Sequence, residues 1–79
     1  MTSAPDPYAR LALLLRELRT ANNMTQVDLA EKLKKPQSYV SKYEANERRL
    51  DLVEVREICV ALGSSLETVV RLFEVADEA

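Results

Sequence analysis

The sequence predicts an all-α protein, five short helices packed as one domain, and three observations carry that prediction. Apolar residues recur at helical spacing in five separate stretches. Residues suited to helix ends bound the stretches: Asp6-Pro7, Thr25, Asp51 and Gly63. Composition agrees, because Leu, Val and Ala dominate while glycine occurs once and tryptophan never. A chain of 79 residues buries only about 60% of its unfolded surface, so one modest core is expected.

Asp6 and Pro7 form an N-cap and a first-turn proline, which predicts a first helix over 7–21. Leu11, Leu14, Leu15 and Leu18 make its apolar stripe, and Asn22-Asn23-Met24 ends it. Thr25 caps a second helix over 26–33, with Asp28 as the reciprocal partner and Leu29, Ala30 and Leu33 facing inward. "KKP" breaks the pattern, and a third helix follows over 37–45. Asp51 with Glu54 opens a fourth helix that runs to Leu62 and stops at Gly63. Ser64 with Glu67 reads as another capping box, opening a fifth helix over 65–76. Residues 1–6 are expected to be a flexible start, 7–76 a single domain and 77–79 a frayed tail.

The chain contains no histidine, and Cys59 is its only thiol. A histidine-containing zinc site, a Ser-His-Asp triad and a disulfide framework are excluded on those grounds. No apolar run approaches the ~20 residues of a membrane span, and "MTSAPDP" lacks signal-peptide character. The expectation is a cytoplasmic protein with no cofactor, no membrane association and no small-molecule ligand. An enzyme reading is poor, since the carboxylates lie on surfaces with no pocket-forming segment around them.

The net charge of −2 conceals a strong segregation. Residues 1–31 carry three basic and four acidic side chains; residues 32–49 carry six and two, giving +4; residues 50–79 carry two and seven, giving −5. The basic block coincides with the "KKP" break and the short third helix. At about 100° per residue, that helix places Tyr39, Val40 and Tyr43 on one side and Gln37, Ser38, Ser41 and Lys42 on the other. The second face is small, polar and cationic. Amides and hydroxyls of this kind suit base edges in the major groove, and a helix N-terminus favours phosphate. An ordinary solvated helix has the same look, so the surrounding pattern decides.

That pattern, "TQVDLAEKLKKPQSYVSKYEANERRLDLVEVREICVALG", resembles the helix-turn-helix of Cro/C1-type (Xre family) transcriptional regulators, with the lambda-repressor-like fold. The likeness runs from "LRELR" in helix 1 through "PQSYVSKYE" to "ERRLD" and "VREICVALG", roughly residues 11 to 70. Short members with "ERRLD" after helix 3 resemble restriction–modification controller proteins and small prophage regulators. The resemblance implies a sequence-specific double-stranded DNA-binding regulator, a repressor or autoregulator on a palindromic operator. It implies base contacts from Gln37, Ser38, Ser41 and Lys42, and phosphate contacts from Gln26, Lys35, Arg48 and Arg49. Gln26 would also brace the start of helix 3. Arg19 and Glu44 would form a partly buried salt bridge between helices 1 and 3, and Ala30 would sit where helices 2 and 3 approach closely.

This chain departs from the family pattern at the turn. Lys34 stands where a left-handed glycine is usual, at a cost on the order of 1 kcal/mol. Lys35 replaces an apolar turn residue, Pro36 a Ser or Thr cap, and Asn46 a second glycine. Cys59 falls on the inner face of helix 4 with Val55, Ile58 and Leu62, and reads as a small hydrophobe more readily than as a redox sensor. Tyr39 and Tyr43 read as packing residues whose hydroxyls can reach the surface.

Helix 5 predicts the quaternary state. Leu66, Val69, Val70 and Phe73 form an inward stripe, while Leu72, Val75 and Ala76 widen the apolar surface beyond what one core covers. Leu13 is likewise off its own stripe. A homodimer held by Leu13, Val69, Leu72, Phe73 and Val75 is expected, setting two recognition helices about 34 Å apart. The competing function class is a protein-interaction module, an antitoxin or anti-repressor that retains the fold and uses the acidic C-terminal third.

Overall fold

The structure, a computed structural model, describes the backbone of residues 6–78 and the side chains of residues 6–75. Among the described residues there are five helices and no strand: α1 (Pro7–Ala21), α2 (Gln26–Leu33), α3 (Gln37–Glu44), α4 (Leu52–Ala61) and α5 (Leu66–Glu78). The expected flexible start and frayed tail lie outside these residues, apart from Asp6, which caps α1, and the helical backbone at 77–78.

The caps explain the starts. Asp6 accepts the Tyr8 N–H at 3.0 Å. Thr25 and Asp28 exchange side-chain and backbone bonds of 3.0 and 2.9 Å, and Asp51 and Glu54 do the same at 2.8 and 3.0 Å. The expected Ser64–Glu67 box is corrected: Ser65 accepts the Thr68 N–H at 3.2 Å, so α5 begins one residue later. Two adjacent serines offered the same cap, and Gly63 with its left-handed φ of 76° places the second one in position.

The ends share one device. Asn23, Lys34, Asn46 and Gly63 have φ of 58°, 57°, 61° and 76°. The residue after each returns an N–H to a carbonyl five positions back: Met24 to Arg19, Lys35 to Ala30, Glu47 to Lys42 and Ser64 to Cys59, over 2.8–3.2 Å. This closes the last turn and satisfies its carbonyls. Lys34 does adopt the left-handed conformation that glycine usually supplies.

The core gathers Leu15, Leu29, Ala30, Val40, Tyr43, Val55, Ile58, Cys59, Leu62 and Val69. Each fully buried Leu, Ile or Val stabilises the fold by about 1.5–3 kcal/mol. α2 packs on α3 and α4, α1 spans α3 and α5, and α4 packs on α5. The helix pair α2–α3 is thereby held from behind, with the outer side of α3 exposed. Tyr43 corrects one expectation: its hydroxyl does not reach the surface but is buried without a hydrogen-bond partner among the described residues. Burial also pushes the Cys59 thiol above its ordinary value, which suits a core residue rather than a reactive one.

Candidate nucleic-acid interface

α3 has the two faces its sequence predicts. Tyr39, Val40 and Tyr43 are buried, while Gln37, Ser38, Ser41 and Lys42 are exposed. The side chains of Ser38, Ser41 and Lys42 carry no hydrogen bond or ion pair among the described residues. Pro36 occupies the N-cap at φ −68°, ψ 154°, and no side chain caps the helix. The Tyr39 N–H turns back to the Pro36 carbonyl at 3.0 Å, which leaves the N–H groups of Gln37 and Ser38 to meet an outside acceptor.

Gln37 is held in place by a relay that begins in the interior. Arg19 of α1 donates from Nε and Nη2 to the two oxygens of Glu44, at 2.7 and 3.0 Å. Its Nη1 donates to the Met24 carbonyl at 2.7 Å. This bidentate pair raises the Arg19 pKa further above its already high value. Gln26, at the start of α2, donates to Glu44 Oε1 at 3.0 Å, and its own Oε1 accepts from Gln37 Nε2 at 3.1 Å. A buried charge pair thus fixes an amide, and that amide fixes another at the exposed end of α3. The Arg19–Glu44 bridge and the bracing by Gln26 are present as expected.

The cations around α3 fall into different groups. Lys35 Nζ lies 5.5 Å from the Tyr39 ring centroid, and Arg48 Cζ lies 4.7 Å from the same ring. Arg48 also donates to Glu54 at 2.8 Å and to the Arg49 carbonyl at 3.2 Å. Its pairing holds the Glu54 carboxyl below the ordinary value and raises the guanidinium. Arg49 stacks on Tyr8, 3.5 Å from the ring centroid, without a carboxylate partner among the described residues. Charge counting along the chain does not separate these residues. Nothing in the spacing points to Tyr8 or to the Tyr39 platform, and Glu54 has only the look of a cap, because these groups meet from segments remote in the pattern.

The expected dimer residues also separate. Leu13, Leu72 and Val75 are exposed, and Phe73 is half-buried under Arg10, whose Cζ is 4.5 Å from its ring. Val69 is corrected: at 1% exposure it belongs to the core, whereas Val70, expected to face inward, is 46% exposed. One residue is about 100° of helix rotation, and the core lies on the Val69 side. Val70 and Phe73 instead line an apolar groove of about 270 Å³ with Leu11, Leu50, Leu52 and Leu66. Among the described residues no helix is long and apolar enough to cross a membrane, and no cluster of metal-ligating side chains forms.

A helix-turn-helix family model matches residues 15–69. The XRE-family like protein from Pseudomonas syringae pv. tomato str. DC3000 is 40% identical over 89% of this chain and 85% of its own, with a TM-score of 0.83. The restriction-modification controller protein C.Esp1396I shares the fold at a TM-score of 0.86 and 22% identity, covering 96% of this chain and 100% of its own. Its tetramer in complex with its natural 35 base-pair operator matches at 0.81 and 24% identity, over 89% and 92%. ClgR, the clp gene regulator from Corynebacterium glutamicum, matches at 0.83 and 24% identity, over 94% and 79%. No curated protein matches the chain. With the bidentate Arg19–Glu44 bridge, the braced α2–α3 pair and a family model spanning most of its length, the chain belongs to the XRE (Cro/C1-type) family of helix-turn-helix proteins.

Proposed function

We propose that the protein is a transcription regulator that binds duplex DNA sequence-specifically, as a homodimer on a palindromic operator. The observation that carries this reading is the outer face of α3, where Gln37 is pre-positioned and Ser38, Ser41 and Lys42 are exposed and unpaired among the described residues. With one Nε2 hydrogen given to Gln26, Gln37 retains its second N–H and its Oε1, the donor and acceptor that pair with adenine N7 and N6. Lys42 matches the acceptors of guanine, and the serines match either partner. The second amide hydrogen of Gln26, the open N-terminus of α3, Lys35 and Arg49 meet backbone phosphates on either side of the groove. Arg48 belongs to the same basic segment but is engaged by Glu54 in the free protein.

The dimer would rest on exposed apolar residues of α1 and α5, Leu13, Leu72 and Val75, with the half-buried Phe73. The operator-bound tetramer of C.Esp1396I supports association on DNA for this fold. Selection of bound sites from random duplexes tests the reading. It should enrich an inverted repeat whose half-sites lie about one turn apart. No enrichment at any salt concentration overturns it and favours the protein-interaction module. Sedimentation equilibrium tests the dimer: Leu72→Glu and Val75→Glu should yield monomer, and a dimer untouched by both places the interface elsewhere, with the Leu52–Val70 groove next in line.

A further inference from the structure

The six cations of residues 32–49 do not count equally toward a DNA backbone. Arg48 and Arg49 are neighbours with opposite fates. The Arg49 guanidinium sits over Tyr8, 3.5 Å from the ring centroid, and none of its N–H donors is taken by a carboxylate among the described residues. Arg48 lies on Tyr39 and directs its edge to two acceptors, the Glu54 carboxylate and the Arg49 carbonyl. Glu54 is itself immobilised, because its other oxygen accepts the Asp51 N–H at 3.0 Å in the α4 capping box. The carboxylate is a fixed post at the start of α4, and Arg48 is tied to it across the turn after α3.

Resting on the DNA-binding reading above, we infer that Glu54 withholds Arg48 from the duplex backbone, so that Lys35 and Arg49 make the phosphate contacts of this segment and Arg48 does not. A phosphate approaching Arg48 would meet the Glu54 carboxylate at 2.8 Å from the same guanidinium, so it would face a pair with no net charge rather than a free cation. An arginine already neutralised releases no counterion on binding, so it adds nothing to the salt dependence. Glu54 is a positioning residue that sets the non-specific affinity of the protein.

Glu54→Gln tests this, since the Gln carbonyl keeps the reciprocal bond of the capping box while the charge and the second acceptor, the one that holds Arg48, are lost. Affinity for a random-sequence duplex is measured against salt for wild type, Glu54→Gln, Arg48→Ala and the double variant. Glu54→Gln should steepen the salt slope by about 0.9 and bind about eightfold tighter at 0.1 M salt. Arg48→Ala alone should leave the slope nearly unchanged, and the double variant, which like the wild-type pair carries no net charge, should match wild type. An unchanged slope in Glu54→Gln overturns the inference, as does a slope shallower by about 0.9 in Arg48→Ala alone. So does a gain that survives in the double variant, which would be plain charge repulsion. Urea unfolding of the same four proteins reads the clamp without DNA: coupling between the two positions supports it, and additivity overturns it. Failure of the wild type to bind any duplex, with coupling intact, marks the failure of the DNA reading, and the inference falls with it.

Discussion

Glu44→Ala removes the acceptor on which the buried relay depends. Three hydrogen bonds disappear at once: two from Arg19, at 2.7 and 3.0 Å, and one from Gln26 at 3.0 Å. Arg19, 8% exposed, would then keep only the Met24 carbonyl as a partner. Leaving one member of a buried pair uncompensated costs about 3–5 kcal/mol. At about 0.05–0.15 kcal/mol per residue, 79 residues give a total stability of about 4–12 kcal/mol. The variant should lose at least a quarter of that. Each kcal/mol is about 4–8 °C for a domain of this size, so Tm should fall by at least about 12 °C. Urea unfolding followed by far-UV circular dichroism gives the free energy directly. Arg19→Met with Glu44→Leu, which removes both charges and keeps volume, should recover most of the loss. A loss below about 1 kcal/mol, the value of a solvent-screened pair, would refute the reasoning; so would a double variant as unstable as the single one.

Two more outcomes follow from the fold. Lys34→Gly should raise stability by up to about 1 kcal/mol, because glycine adopts the φ of 57° at no steric cost; a midpoint shifted to lower urea would show that a contact of the Lys34 side chain outweighs the strain. Tyr43→Phe removes a buried hydroxyl that pairs with nothing among the described residues. Its stability should stay level or rise by about 1 kcal/mol, and a loss of that size would reveal a partner for the hydroxyl.

Much of the fold is legible in the sequence because its boundaries are local chemistry. Asp6-Pro7, Thr25–Asp28 and Asp51–Glu54 each complete their bonds within three residues, so the first, second and fourth helix starts can be read directly. Helix 5 is less legible, since Ser64 and Ser65 compete for one cap and the outcome rests on the turn made by Gly63. Which of Val69 and Val70 is buried depends on how α5 rolls against α1 and α4, a tertiary choice that periodicity leaves open. In the site, the polar face of α3 follows from spacing alone. Arg19 and Glu44 are 25 positions apart and are legible only through the family pattern. The clamp of Arg48 by Glu54 is invisible to charge counting, which sums cations without asking what already holds them.

If α3 reads bases, Gln37→Ala must change binding to the site recovered by selection. Gln26 loses a neighbour but keeps its bond to Glu44, so the fold should persist by circular dichroism. Titration against that site and its single-base variants should show binding to the preferred site weakened by about 1–3 kcal/mol, with discrimination lost at one base pair per half-site. Affinity and base preference both equal to wild type would move the readout away from the start of α3.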